Sequence, residues 1–278
     1  MRFNRRDKAL TVCRAMRSEK VLIVLDWLCE FRMSNAEILS SRLEISITNA
    51  FKLLADMQSS RMILAFENVH TRGMRLFGLA EGGVRHLSAW GRDTQKAVVK
   101  ASNLARSTTV IHDLCVQRIT LHLAEKFKCV EVIWDLNIKT TRSLRPDAIL
   151  VTADQYVAAL EFDRTAKNLP QFFERLVNSY EAIRDNEFNA LFIAVESSAV
   201  MKRYQALFDQ EEWPVYRKNE KGNLVELSTK LTPERRFKNE IRWLPTKDVI
   251  SSILSSRVSP KSKLPKIATS NQFEAANL

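Results

Sequence analysis

The sequence predicts an α/β protein, α+β overall, organised as two folded domains. Three observations lead there. Residues 18–90 read as three helices followed by two short strands, whereas from about 107 to 254 helices and strands alternate. The chain is 278 residues long, a length that suggests two domains of ordinary size. Its 45% hydrophobic content provides apolar surface for two cores and excludes a chain disordered throughout.

The first element is basic. Arg2, Arg5, Arg6, Lys8, Arg14, Arg17 and Lys20 stand against only Asp7 and Glu19. Residues 1–17 are read as a basic N-terminal arm, which suits a flexible segment or a first helix laid on phosphates, or equally a solvated tail. Val21, Leu22, Val24, Leu25, Leu28 and Phe31 then recur with helical period and end near Met33. Ser34 with Glu37 three residues on reads as a capping box opening a short second helix through Ile38, Leu39 and Leu43. After a turn at 44–46, a third helix carries Ala50, Leu53, Leu54 and Met57 on one face and Thr48, Asn49, Lys52 and Gln58 on another. Two strands follow, one from Met62 and one through Leu76 to Leu79, joined by a turn with Thr71, Arg72 and Gly73. Gly82 and Gly83 mark the start of a further helix.

That order is the signature of a winged helix-turn-helix. In such a domain the third helix presents Thr48, Asn49 and Lys52 to a major groove, while His70, Arg72 and Arg75 of the wing reach phosphates or the minor groove, with Arg5 and Arg6 adding phosphate contacts. The competing reading is a helical bundle whose hairpin serves dimerisation, so a homodimer stays open. Residues 91–106 are polar and basic without being Gly/Ser-rich, and read as a semi-rigid connector. The stretch 255–278, poor in large apolar residues, is expected to be disordered.

Charge narrows the partner. Forty-three Lys and Arg against thirty-two Asp and Glu leave +11, of which +7 falls in residues 1–100. A polyanion, here double-stranded DNA, is the expected partner. No apolar run approaches the ~18 residues of a membrane span, and Asp26 interrupts the best candidate, so no membrane segment and a cytoplasmic location are expected. Cys13, Cys29, Cys115 and Cys129 form no C-x-x-C pair, which argues against a structural zinc site and for free thiols.

The candidate chemistry lies in residues 144–168, after a long helix expected over Val110–Lys126. Two β-type runs, Asp147–Val151 and Tyr156–Phe162, flank a four-residue turn, and their simplest fold is an antiparallel hairpin. With the tip centred on Asp154, residues whose numbers sum to 308 face one another, which sets Asp147 opposite Glu161. Like charges so placed destabilise a strand pair unless compensated, and a divalent cation is the usual compensation. Alternation brings Asp163 to the side of Glu161, so three carboxylates are expected to converge as an oxygen-rich site for Mg²⁺ or Mn²⁺. Such an ion polarises a phosphodiester and lowers the pKa of a bound water. Solvated strand-end acids are the plain alternative.

Pro146 and Asp147, with Glu161, Phe162 and Asp163, resemble the PD-(D/E)xK nuclease superfamily. More closely, His112, Asp113 and Leu114; Arg145, Pro146 and Asp147; Glu161, Asp163 and Arg164; Lys167; and Tyr180 resemble the motifs of the replication-relaxation family, which includes MobC-type plasmid relaxases. The resemblance spans about residues 20–250. It implies a winged helix joined to a restriction-endonuclease-like domain, a mixed sheet flanked by helices over 107–254, and a metal-dependent nick at a plasmid origin during mobilisation or replication. It also implies relaxosome or coupling proteins as partners. The superfamily's lysine is replaced here by Asp163, leaving Lys167, placed about a turn into the next helix, or Arg164 to supply the charge. His112 is read as a general base or phosphate contact, or else as a helix-capping or core residue. Tyr180 is read as packing, with a phosphotyrosyl nucleophile as the alternative, and Asp113 and Asp135 as weaker extra acids. Lys218, Lys221, Arg235, Arg236, Lys238 and Arg242 form a later basic region that follows a DNA backbone or is a solvated face. The rivals to a nicking enzyme are a non-catalytic DNA-binding regulator or relaxosome accessory, and a restriction-type or repair endonuclease.

Overall fold

The computed structural model describes residues 5–71, 73–138, 145–249 and 251, and the side chains of 5–14, 136 and 236 lie outside that description. Contacts divide the chain into two compact units, with the division between Leu114 and Cys115. The stretch 91–106, expected as a connector, belongs to the first unit.

Helix α1 spans Arg5–Phe31, so most of the segment expected as an arm is helical. No Gly or Pro interrupts those 27 residues, and Arg, Lys, Ala and Leu carry little helical penalty. Arg32, in the left-handed region at φ 66°, ends the helix. Strand β1 (Met33–Asn35) follows, then α2 (Ala36–Arg42), α3 (Ile47–Ser59), β2 (Ile63–Glu67) and β3 (Arg75–Leu79). Ser34, expected to cap the second helix, sits inside β1 opposite Phe77, and the cap is Asn35, whose Oδ1 accepts from Ile38 N–H at 2.9 Å. Pairing with β3 holds Ser34 extended, which moves the helix start one residue along. Strand β3 lies between β1 and β2, antiparallel to both.

Helix α4 (Glu81–Ala89) has both glycines in its first turn. A Cβ on Gly83 would stand 2.2 Å from the Met62 carbonyl oxygen, and glycine lets helix and strand meet there. Helix α5 (Ala101–Ala105) is tied to the β2–β3 turn by Asn68, whose Nδ2 donates to the carbonyls of Leu104 and Ser107 at 2.9 and 3.0 Å.

Helix α6 occupies Val110–Lys126, the bounds read from the sequence. The second unit continues with β4 (Cys129–Trp134), β5 (Ala148–Thr152), β6 (Val157–Asp163), α7 (Leu169–Arg184), β7 (Ala190–Val195), α8 (Ser198–Phe208), β8 (Trp213–Lys218), β9 (Leu224–Leu231), α9 (Arg235–Glu240) and β10 (Ile241–Pro245). Five strands form one mixed sheet in the order β10-β7-β6-β5-β4. β4, β5 and β6 are antiparallel neighbours, whereas β7 runs parallel to both β6 and β10. β8 and β9 make a separate hairpin. The mixed α/β class expected from the sequence is therefore present, and no helix among the described residues is long and apolar enough to cross a membrane.

One core of the second unit gathers Phe172, Leu176, Tyr204, Phe208, Trp213 and Phe237 against Ala159, Leu191 and Ile193 of the sheet. Trp213 is fully buried, and its Nε1 donates to the Phe208 carbonyl at 3.1 Å. Every residue of β7 is buried, as expected of a central strand covered on both faces. Residues 252–278, which include the expected disordered tail, lie outside the described residues.

Candidate functional site

The β5–β6 hairpin has the expected register. Ala148 pairs with Leu160, Ile149 with Ala159, Leu150 with Ala158 and Val151 with Val157. Gln155 at φ 65° turns the chain, and its N–H donates to the Thr152 carbonyl at 3.0 Å. One step beyond the paired residues, Asp147 N–H donates to the Leu160 carbonyl at 2.8 Å, so the ladder persists to Asp147. Its Oδ2 accepts from Phe162 N–H at 2.7 Å, across the strand from Glu161. Leu160 and Phe162 point into the other face of the sheet and are buried.

Glu161 is 8% exposed and Asp163 4% exposed. Burial, then the charge of Asp147, pushes the Glu161 carboxyl up to about 7, against the pull of Arg175 and Lys167. Glu161 thus holds its proton closer to neutrality than an ordinary carboxyl does, with Asp147 beside it on the adjacent strand.

The three-carboxylate set expected from alternation does not form as a metal-holding group. Among the described residues no cluster of three or more His, Cys, Asp or Glu is placed to hold an ion. A guanidinium has entered instead. Arg175 of α7 is 1% exposed, with Nη1 at 2.5 Å from Asp163 Oδ2 and 3.7 Å from Glu161 Oε2. Its carbon Cζ lies 5.7 Å from the Phe172 ring centroid and 5.6 Å from that of Tyr204. Its charge lies close against Asp163 and more loosely against Glu161.

Lys167 lies in the loop before α7, not a turn into a helix, because Asn168 caps the helix by accepting from Gln171 N–H at 3.0 Å. Lys167 Nζ is 3.4 Å from Asp163 Oδ1, and its backbone N–H donates to the Tyr204 hydroxyl at 2.7 Å. Arg164 is turned elsewhere, with Nε 3.7 Å from Glu196 Oε2.

The remaining motif residues are dispersed. His112 is in the first turn of α6, in the first unit, with Nδ1 at 3.5 Å from Asp113 Oδ1. Asp113 Oδ2 accepts from the Thr109 hydroxyl at 2.9 Å. Asp135 is 3.7 Å from Arg145 Nε. Tyr180 packs edge-on to Phe237 at 5.0 Å and donates to Glu234 Oε1 at 3.4 Å. Burial and Glu234 raise its pKa, the opposite of what an attacking phenolate needs.

In the first unit, Thr48, Asn49 and Lys52 are exposed on α3, as is Phe51 at 37%. His70 is exposed in the β2–β3 turn, where its N–H donates to Asn68 Oδ1 at 2.8 Å. Arg75 is engaged, donating to Gln58 Oε1 at 2.8 Å and lying over the Phe77 ring. Arg72 lies outside the described residues, as do the side chains of Arg5 and Arg6. Of the later basic region, Lys218 is 3.8 Å from Glu174, Lys238 Nζ donates to the carbonyls of Asp209 and Gln210, and Arg242 donates to the Asn239 carbonyl. Cys29 and Cys115 are buried and Cys129 is half-buried, none of them in a disulfide.

Arg175 was the residue missed. Its one sequence signal is a pair of charges, Glu174 and Arg175, set inside the apolar run Phe172, Phe173, Leu176 and Val177. Comparison with protein-family models, curated proteins and solved structures finds no match to this chain.

Proposed function

We propose that the chain is a two-unit DNA-processing protein, whose first unit binds double-stranded DNA at a plasmid origin and whose second makes a metal-dependent nick. The observation that carries this reading is the register of the β5–β6 hairpin, which sets Asp147 against Glu161 on two inner strands of a mixed sheet. The surrounding order, α6-β4-β5-β6-α7-β7 with three antiparallel strands and a parallel fourth, supports a PD-(D/E)xK-like unit. The order α1-β1-α2-α3-β2-β3 supports a winged helix-turn-helix, with Thr48, Asn49 and Lys52 on the helix offered to DNA.

Two carboxylates fit a divalent cation such as Mg²⁺ or Mn²⁺. A positive ion there would favour the ionised form of Glu161 against the burial and the Asp147 charge that raise its pKa. Asp147 and Glu161 would hold it, and the ion would supply polarisation of a phosphodiester oxygen and a water of lowered pKa. Lys167 lies near the pair and provides positive charge for the developing phosphorane. Asp163 is committed to Arg175 and Lys167, and Arg164 to Glu196, so neither takes the catalytic part that the family motif assigns.

The test is conversion of supercoiled plasmid carrying the gene's own neighbourhood to open circles with Mn²⁺, Mg²⁺ or EDTA. Nicking that needs metal and is lost in Asp147→Ala and Glu161→Ala supports the reading. Pure, DNA-binding protein that does not nick overturns it. A second reading, a DNA-binding regulator or relaxosome accessory with a degenerate nuclease fold, is favoured by one observation: Asp163 stands where the superfamily has its lysine, locked to Arg175.

A further inference from the structure

We propose that α3 reads the C5-methyl groups of thymine in a major groove through an apolar flank made of Thr48, Phe51 and Ala55, so that the DNA target carries T·A pairs at fixed positions. The inference rests on the DNA-binding reading above and adds what the helix recognises. It stands on the make-up of the exposed face of one helix.

Helix α3 divides into two sides by its period. Ala50, Leu53, Leu54 and Met57 are buried and hold the helix to its unit. Thr48, Asn49, Phe51, Lys52, Ala55 and Asp56 are exposed. At 3.6 residues per turn, Phe51, Ala55 and Thr48 fall within about 60° of one another, and Lys52, Asp56 and Asn49 occupy the sector beside them. The outer surface therefore has an apolar flank and a polar one. Phe51 is 37% exposed, a large ring where a surface helix ordinarily carries polar side chains. A single exposed apolar residue is common on any protein surface. Here the ring shares its flank with two further carbon groups, the methyls of Thr48 and Ala55.

Charge selects what covers this face. Residues 1–100 carry +7. The one acid of α3, Asp56, is paired with Arg17 of α1, so the helix offers the Lys52 charge while its carboxylate is compensated. A second copy of so basic a unit is repelled, and a polyanion is attracted. The far end of α3 is tied down, with Gln58 Oε1 accepting from Arg75 of β3 at 2.8 Å. The exposed residues of its N-terminal half are the ones that meet base edges in helix-turn-helix domains.

The chemistry of the groove then names the base. Among the donors and acceptors of a major groove the thymine C5-methyl is the apolar group, and Phe, Ala and the Thr methyl are the side-chain groups that meet it. Asn49, on the polar flank, suits the opposite base, since an amide bonds adenine N6 and N7 together. Both flanks point to the same base pair, and Lys52 is left for phosphate.

The test uses the full chain in EDTA, which separates recognition from any cleavage. Duplexes are recovered by repeated selection from a randomised pool. Affinity for a recovered duplex is then compared with that for the same duplex carrying deoxyuridine in place of thymine, a change that removes only the methyl. Wild type is expected to select T·A pairs at fixed positions and to bind the deoxyuridine duplex about fourfold more weakly for each methyl contacted, the factor for burying one such group. Phe51→Ala is expected to bind the two duplexes alike. Thr48→Ser, which keeps the hydroxyl and loses a methyl, is expected to discriminate less than wild type, and it keeps the comparison available should Phe51→Ala not fold. Wild type that binds the pool without selecting T·A pairs, or binds both duplexes equally, overturns the inference and leaves DNA binding standing. So does discrimination that Phe51→Ala and Thr48→Ser both retain in full. Phe51→Ala that splits a dimer in sedimentation while discrimination persists also overturns it, and makes the ring a contact between copies. Wild type that binds no duplex of the pool overturns the DNA-binding reading, and this inference with it.

Discussion

Replacing Glu161 with glutamine should stabilise the protein at pH 8 by about 3 kcal/mol while changing little at pH 4. The magnitude follows from the carboxyl's shift from 4.5 to about 7, each pKa unit being worth about 1.4 kcal/mol. The folded value lies above the unfolded one, so the native state binds this proton more tightly. Its contribution to stability is complete below about pH 4.5 and is lost as pH rises through about 7. The glutamine side chain carries the protonated acid's shape without its titration and escapes that loss. Thermal unfolding in EDTA at pH 4 and pH 8 reads the difference as an upward shift at pH 8 on the order of 10 °C. Adding Mn²⁺ at pH 8 should raise the wild-type midpoint and leave the variant's almost unmoved. A gap between the two proteins that is the same at pH 4 and pH 8 would refute the electrostatic account of the Asp147–Glu161 pair.

Gly83→Ala places a Cβ at 2.2 Å from the Met62 carbonyl and 2.9 Å from Leu25 Cδ2, and should cost about 3 kcal/mol or more in a denaturation midpoint, a larger loss than Gly91→Ala, where nothing lies within 4 Å. Trp213→Ala empties the centre of the aromatic cluster and should cost about 3–5 kcal/mol by urea unfolding. Tyr180→Phe should leave plasmid nicking unchanged and cost at most about 1 kcal/mol, since the hydroxyl makes one long contact to Glu234; abolished nicking with stability intact would restore the nucleophile. Lys52→Ala should weaken DNA binding alike on all sequences and reduce the slope of log affinity against log salt by about 1.

Some of this molecule follows from local order alone. Helix α6 has the bounds its periodicity gives, because seventeen helix-compatible residues contain no breaker. The β5–β6 register follows from a four-residue turn and two runs whose side chains alternate, since a slip of one residue turns the buried set outward. From that register the facing of Asp147 and Glu161 is a matter of counting.

What the sequence did not disclose lies in contacts between distant segments. β1 exists because β3 comes to pair with it, and this moved the helix cap from Ser34 to Asn35. β10 joins the sheet parallel to β7 from about fifty positions away, a pairing with no local signal. The same holds for the site. Strand alternation assigns Asp163 to the face of Glu161, but only the packing of α7 brings Arg175 there, across twelve residues of chain from one acid and fourteen from the other. Burial of that guanidinium beside the Phe172 and Tyr204 rings fixes a positive charge against the two acids. A linear pattern specifies side and spacing, whereas the charge that compensates a buried acid is chosen by whichever element folds over it.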